Sequence, residues 1–137
     1  MFSLHEIRTR ILKLQAEYDV QGALRELGML VNMKSTGADR ESWYGLVEGA
    51  LFIIYDAFSP HTVDDEMAHA LMERIRHDWE RDRTAQEQAA MMTIATVLLP
   101  REPALMWLDD VARSEPDPEL RRALQECSTS VGRGYVV

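Results

Sequence analysis

The sequence predicts an all-α protein: a compact six- to seven-helix bundle, or a short stack of antiparallel helical hairpins. Three observations carry that prediction. Apolar residues recur every three or four positions along nearly the whole chain. No segment alternates with period two for long, and neither Asn-Gly nor Asp-Gly, the hairpin dipeptides, occurs. Helix-capping residues, glycines and prolines punctuate the periodic stretches.

The first helix is predicted over about 3–18. Ser3 and Glu6 have capping-box spacing, in which each side chain serves the other's backbone N–H. Leu4, Ile7, Ile11, Leu14 and Tyr18 form a narrow apolar seam, with Arg8, Arg10 and Lys13 off it. That seam packs on its own domain or on a second copy. The second helix is predicted over about 20–34, capped by Asp19, with Leu24, Leu27, Leu30 and Val31 inward. "STGAD" then breaks the chain.

The third helix, about 40–58, is apolar on most sides: "WYGLVEGALFIIYDAF". Only Glu41, Gly45, Glu48, Gly49 and Asp56 interrupt the bulk, with Phe52 among them, which predicts a buried central helix. Gly45 and Gly49 each weaken a helix interior by about 1 kcal/mol relative to alanine. They predict the close approach of another backbone, from this chain or from a partner. The fourth helix is predicted over about 60–82, entered through Ser59 and Pro60. The fifth, about 85–99, opens on a capping box at Thr84 and Glu87 and stops at Pro100. Its body, "AAMMTIATVLL", marks it as the second inner helix. The sixth is predicted over about 103–113. The seventh, about 118–129, has Asp117 as cap and Pro118 at its first position.

"ALMWLDDVARSEPDPELRRALQEC", residues 104–127, has a helix, an Asp-Pro turn at Asp117 and Pro118, and a second helix with Arg121 in its first turn. In this it resembles a HEAT-type helical repeat. The resemblance implies stacked antiparallel helices and a protein-binding role. No second copy follows at a fixed period.

A length of 137 residues, 46% hydrophobic and 28% charged, fits one soluble domain. It is expected to span 1–131, with 132–137 as a flexible tail. The net charge is −8, and it is uneven. Between Asp39 and Glu66 lie seven acids (Asp39, Glu41, Glu48, Asp56, Asp64, Asp65, Glu66) against one base, Arg40. That balance predicts no nucleic-acid partner, because phosphate backbones require clustered Lys and Arg. It also predicts no membrane partner, because an acidic leaflet repels it. No stretch reaches the roughly 18 apolar residues of a membrane span. The N-terminal residues lack a signal-peptide pattern, and Cys127 is the one cysteine, so a reducing cytoplasmic location is expected.

"DDEMAHALMERIRHDWERD", residues 64–82, spaces Asp65, His69, Glu73 and His77 every fourth residue, as a metal site would. Helical projection predicts otherwise. With Met67 at 0° and 100° per residue, Val63, Met67, Ala68, Leu71, Met72, Ile75 and Trp79 fall between about −40° and 140°. His69, Glu73 and His77 fall near 200°, 240° and 280°, opposite that stripe. The ligand-like residues therefore belong to a solvated face, and no metal or other cofactor is expected. That face is expected to carry the helix pairs Glu73–His77, Arg76–Glu80 and Arg74–Asp78.

Nucleophile motifs, phosphate loops and dinucleotide fingerprints do not occur in the sequence. Cys127 reads as a small core residue. Eight methionines, six of them paired as Met29/Met33, Met67/Met72 and Met91/Met92, predict core filling or a groove for a partner helix. The expected function is non-enzymatic: an interaction module that binds another protein stoichiometrically, as an inhibitor, immunity-type protein, chaperone or adaptor. Its partner would present a basic or apolar surface. Asp39, Glu41, Asp64, Asp65, Glu66, His69 and Glu73 are the candidate contact residues. One alternative is a small-ligand binder or enzyme with a pocket between helices 40–58 and 85–99, using Trp43, Glu48 and Tyr55. Another is a structural homo-oligomer, such as a homodimer, assembled through helix 3–18.

Overall fold

A computed structural model of the chain describes residues 4–33, 39–55, 63–80 and 84–132. These form seven α-helices: α1 Leu4–Glu17, α2 Val20–Asn32, α3 Asp39–Ile54, α4 Asp65–Trp79, α5 Ala85–Leu98, α6 Arg101–Ser114 and α7 Pro118–Gly132. Among the described residues there is no strand, and the protein is all-α. No helix among them is long and apolar enough to cross a membrane. The chain divides into two compact units, Met1–Met91 and Met92–Val137, and the division falls inside α5.

In the first unit the turn between α1 and α2 is two residues long and set by local chemistry. Tyr18 takes a left-handed φ of 52°, and the Asp19 N–H closes α1 on the Leu14 carbonyl at 3.1 Å. Asp19 then caps α2 by accepting from the Gly22 N–H at 2.9 Å. Tyr18 is the end of the predicted seam, yet it is 74% exposed. The left-handed residue leaves the helical screw, so its side chain leaves the stripe. Ile7, Ile11 and Leu14 stay buried, and α1 packs against α2 and α3. Arg10 spans α1 and α2 with a two-pronged fork to the buried Glu26, at 2.6 and 3.1 Å.

Along α3, Trp43, Tyr44, Val47, Ala50 and Ile54 are fully buried, and Leu51 nearly so. Its exposed strip holds Gly45 and Phe52, as the projection predicts. The first turn of α3 is tied to the start of α5. Arg40 pairs with the buried Glu87, and Glu41 accepts from the Thr84 hydroxyl at 2.9 Å. Thr84 does cap α5, accepting from the Glu87 N–H at 3.1 Å. The Glu87 carboxylate turns to Arg40 rather than back to Thr84, so only half of the predicted capping box forms. The Ser3–Glu6 box lies outside the described residues.

The fourth helix starts later than expected. Val63 and Asp64 precede it, and Asp64 is its N-cap, accepting from the Met67 N–H at 2.8 Å. The Ser59–Pro60 entry lies outside the described residues. Leu71, Met72, Ile75 and Trp79 are buried. Each such burial contributes about 1.5–3 kcal/mol, several times a surface ion pair, so the apolar stripe sets how α4 lies. Two predicted pairs on the outer face are replaced. Arg76 turns back to Glu73 at 2.9 Å, and His77 lies 3.2 Å from Asp78. The third is misplaced: Arg74 and Asp78 lie inward, at about −20° and 20° on the same projection, and Asp78 is 8% exposed.

In the second unit α6 and α7 form an antiparallel hairpin. The Ser128 hydroxyl reaches Asp109 at 3.2 Å, while Arg121 donates twice to the Glu115 carbonyl, at 2.7 and 3.1 Å. These pairs run in opposite chain directions. Asp117 caps α7 by accepting from the Glu119 N–H at 3.0 Å. Ala104, Trp107, Leu108 and Ala112 are buried on α6, and Leu120, Leu124, Cys127 and Val131 on α7. α6 begins at Arg101 rather than 103, because the Pro100 carbonyl already accepts from Ala104 at 2.9 Å. The last five residues of the predicted tail lie outside the described residues.

The glycines separate by what surrounds them. A Cβ at Gly22 would meet the Leu14 side chain at 2.4 Å and the capping Asp19 carboxylate at 2.7 Å, so both would have to shift. A Cβ at Gly45 meets nothing within 4 Å, and one at Gly49 makes ordinary contact with Gln15 and Ile11. The close backbone predicted at Gly45 is therefore not supplied by the described chain. Gly22→Ala should lower unfolding stability by about 1–3 kcal/mol through overpacking. Gly45→Ala should raise it by about 1 kcal/mol. Urea titrations of the two variants check both signs.

Candidate functional site

The predicted contact residues fall into two groups. Asp64, Asp65, Glu66, His69 and Glu73 are all exposed at the start and along the outer side of α4. Asp65, Glu66, His69 and Glu73 share one side within its first three turns. Their position has a local cause. Acids in a first turn sit against the positive end of the helix dipole, and Asp64 also satisfies an open N–H. Asp39 is exposed at the start of α3, while Glu41 is half-buried and bonded to Thr84. Glu73 lies against Arg76. Asp65, His69, Glu73 and His77 are exposed as the helical projection predicts, and among the described residues no three carboxylate, His or Cys groups gather to hold a metal.

The residues of the alternative pocket are spread along α3. Trp43 is fully buried and donates its indole N–H to the Leu30 carbonyl at 2.8 Å. Tyr55 accepts from the Val63 N–H at 3.0 Å, and Glu48 is half-buried. Among the described residues, two of the surface cavities have volumes of about 450 Å³ each. One lies between α1 and α3, the other on α6 and α7 near Asp109 and Arg121, and neither is lined by Trp43, Glu48 or Tyr55.

A polar cluster that periodicity did not reveal lies inside the first unit. The Tyr44 hydroxyl donates to Asp78 at 2.6 Å, in a buried setting. Arg74 donates to the Met33 carbonyl at 2.6 Å and lies 3.9 Å from the same Asp78 oxygen. Its guanidinium also covers the Trp43 ring at 3.7 Å. Trp43 and Tyr44 meet edge to face, with centroids 4.9 Å apart. Two carbonyls at the end of α2, Leu30 and Met33, thus find donors on α3 and α4. Burial first, and then the bond to Asp78, push the Tyr44 hydroxyl far above its ordinary range. Burial lowers the Arg74 guanidinium below its usual value. A phenol held so firmly protonated is a poor general base, and the bonds account for its place structurally. The signal available in sequence was angular: Arg74 and Asp78 fall on the apolar side of α4.

Cys127 is buried on α7, and burial alone pushes its thiol up to about 11. Such a thiol is a weak nucleophile at neutral pH. It fills space, as expected.

Compared with protein-family models, curated proteins and solved structures, the chain matches none. The HEAT-type resemblance therefore rests on the α6–α7 hairpin alone.

Tyr44→Phe should cost about 1–3 kcal/mol, because Asp78 loses a buried donor. Arg74→Met should cost about 3 kcal/mol, because Asp78 and the α2 carbonyl lose their cation. Thermal and urea unfolding followed by circular dichroism measure both. The raised Tyr44 pKa also sets a pH dependence. An unfolded tyrosine ionises near 10 and the folded one above it, so this stability is intact below about pH 10. Above that it falls by up to about 1.4 kcal/mol per pH unit. Tyr44→Phe should flatten the alkaline loss measured between pH 8 and about 11. The Cys127 thiol contributes equally to both proteins.

Proposed function

We propose that this protein is a non-enzymatic interaction module that acts by stoichiometric binding of another protein, in the manner of an inhibitor, immunity-type protein, chaperone or adaptor. The observation that carries this reading is the exposed acidic side of α4. Asp64, Asp65 and Glu66 stand in succession at its start, and His69 and Glu73 continue the same exposed side. In a chain of net charge −8, that surface complements a basic contact surface and speeds encounter with it. Asp39 and Glu41 add acids at the start of α3. A cytoplasmic setting agrees with a single cysteine that is buried and free.

The test is affinity capture from a lysate of the source cell with the full chain as bait. Asp65→Lys/Glu66→Lys is the comparison bait, with Asp64 kept because it caps α4. The wild type should retain a basic protein in near-equal molar amount. The charge-reversed bait should retain at least about tenfold less, with unchanged circular dichroism. Equal retention by both baits, or none by either, rejects the proposal.

A further inference from the structure

We propose that the groove between α1 and α3 is a binding site for a small amphipathic acid, a carboxylate head on an apolar tail, separate from the acidic side of α4. The groove has a volume of about 450 Å³, within the range of small-molecule pockets. Such pockets are mostly apolar, with a few polar groups that fix one end of the ligand. The groove fits that description because its lining changes character from one end to the other.

Helix register sets the two ends. Arg10 of α1 meets Glu26 of α2, and Leu30 near the end of α2 meets Trp43 near the start of α3, so the chain reverses twice and α1 and α3 run in the same direction. Gly49 lies beside Ile11 and Gln15. Seven residues earlier on both helices, Ser42 is level with the turn from Leu4 to Arg8. At that end the lining supplies Arg8, the His5 ring and the Ser42 hydroxyl, with Leu4 at the edge. At the other end it supplies Ile11, Leu12 and Leu46, with Gln15 at the edge. The two ends are roughly 10 Å apart, at 1.5 Å per helical residue.

The lining selects the ligand. No acid belongs to it, in a chain with 23 acids against 15 bases. Arg8 is exposed, and among the described residues no hydrogen bond or ion pair engages its guanidinium. A guanidinium matches a carboxylate with two parallel N–H bonds, and the His5 ring and Ser42 hydroxyl add donors beside it. Gly45 stands between the two ends, where a Cβ would meet nothing within 4 Å, so the missing side chain leaves room for a tail. The tail would cover Leu12, which is 57% exposed, and remove apolar surface from water. An apolar cation would meet Arg8 as a like charge, and an anion without a tail would leave Leu12 in water.

Isothermal titration calorimetry of the full chain tests the proposal, with octanoate as the probe and octanol and octylammonium as its uncharged and cationic counterparts. Octanoate should bind one per chain, at least about tenfold tighter than either counterpart. Arg8→Gln, a change at an exposed position, should weaken octanoate at least about tenfold and leave octanol unchanged. Gly45→Leu fills the groove from a position where the added side chain meets nothing in the described chain. It should keep or raise the melting temperature while weakening octanoate at least about tenfold. No saturable octanoate binding up to roughly 10 mM overturns the proposal, as does equal affinity for the three probes or an octanoate Kd unmoved by either variant. Failure here leaves the α4 proposal standing, since that contact uses other residues.

Discussion

The first unit depends on one buried arrangement: Arg74 of α4 set between the end of α2, the Trp43 ring and Asp78. Helix ends leave carbonyls without partners, and a buried carboxylate without donors is strongly unfavourable. Arg74 meets the first requirement at Met33, Trp43 adds a second donor at Leu30 beside the Met33 N–H, and Tyr44 meets the second requirement at Asp78. Three helices that are separated in sequence are thereby held in one register. Apolar burial supplies most of the energy of packing, but it is tolerant of small slides and rotations. Short polar bonds at 2.6 to 2.8 Å are not. The outer pair of Arg10 and Glu26 does the same for α1 against α2.

Surface chemistry in this protein has a double character. The acids at the start of α4 stabilise that helix through its dipole, and Asp64 does so through a direct bond. Their local usefulness is a sufficient reason for acids to be there, and it does not diminish their charge toward a partner. The α4 side is polar and acidic at its start, suited to a complementary protein.

Element by element, the helices were legible in sequence wherever capping chemistry was local. Asp19, Thr84 and Asp117 each accept the N–H that their spacing predicts. The start of α4 was misplaced because Ser59–Pro60 and Asp64 both offer an entrance, and propensity alone does not rank them. The exposed side of α4 was legible because it follows from one period. The Arg74–Asp78 pair was legible only in part. Its i to i+4 spacing is visible, but the bland expectation that charges face water overrode their angular position. Gly22 and Gly45 look alike in sequence, and opposite surroundings separate them.

What the sequence determined by itself is the all-α class, the seven helices and which side of each one is apolar. Those properties are local: periodicity and capping act within a few residues, so the residues carry them wherever the chain goes. Only the tertiary structure decided which charges are inside, which glycine is crowded and where the open groove lies. Each of those depends on a neighbour distant in sequence, such as Tyr44 for Asp78 or Leu14 of α1 for Gly22 of α2. Burial turns a charged residue from a solvated group into one that must find a partner, and burial is a property of the packed helices together.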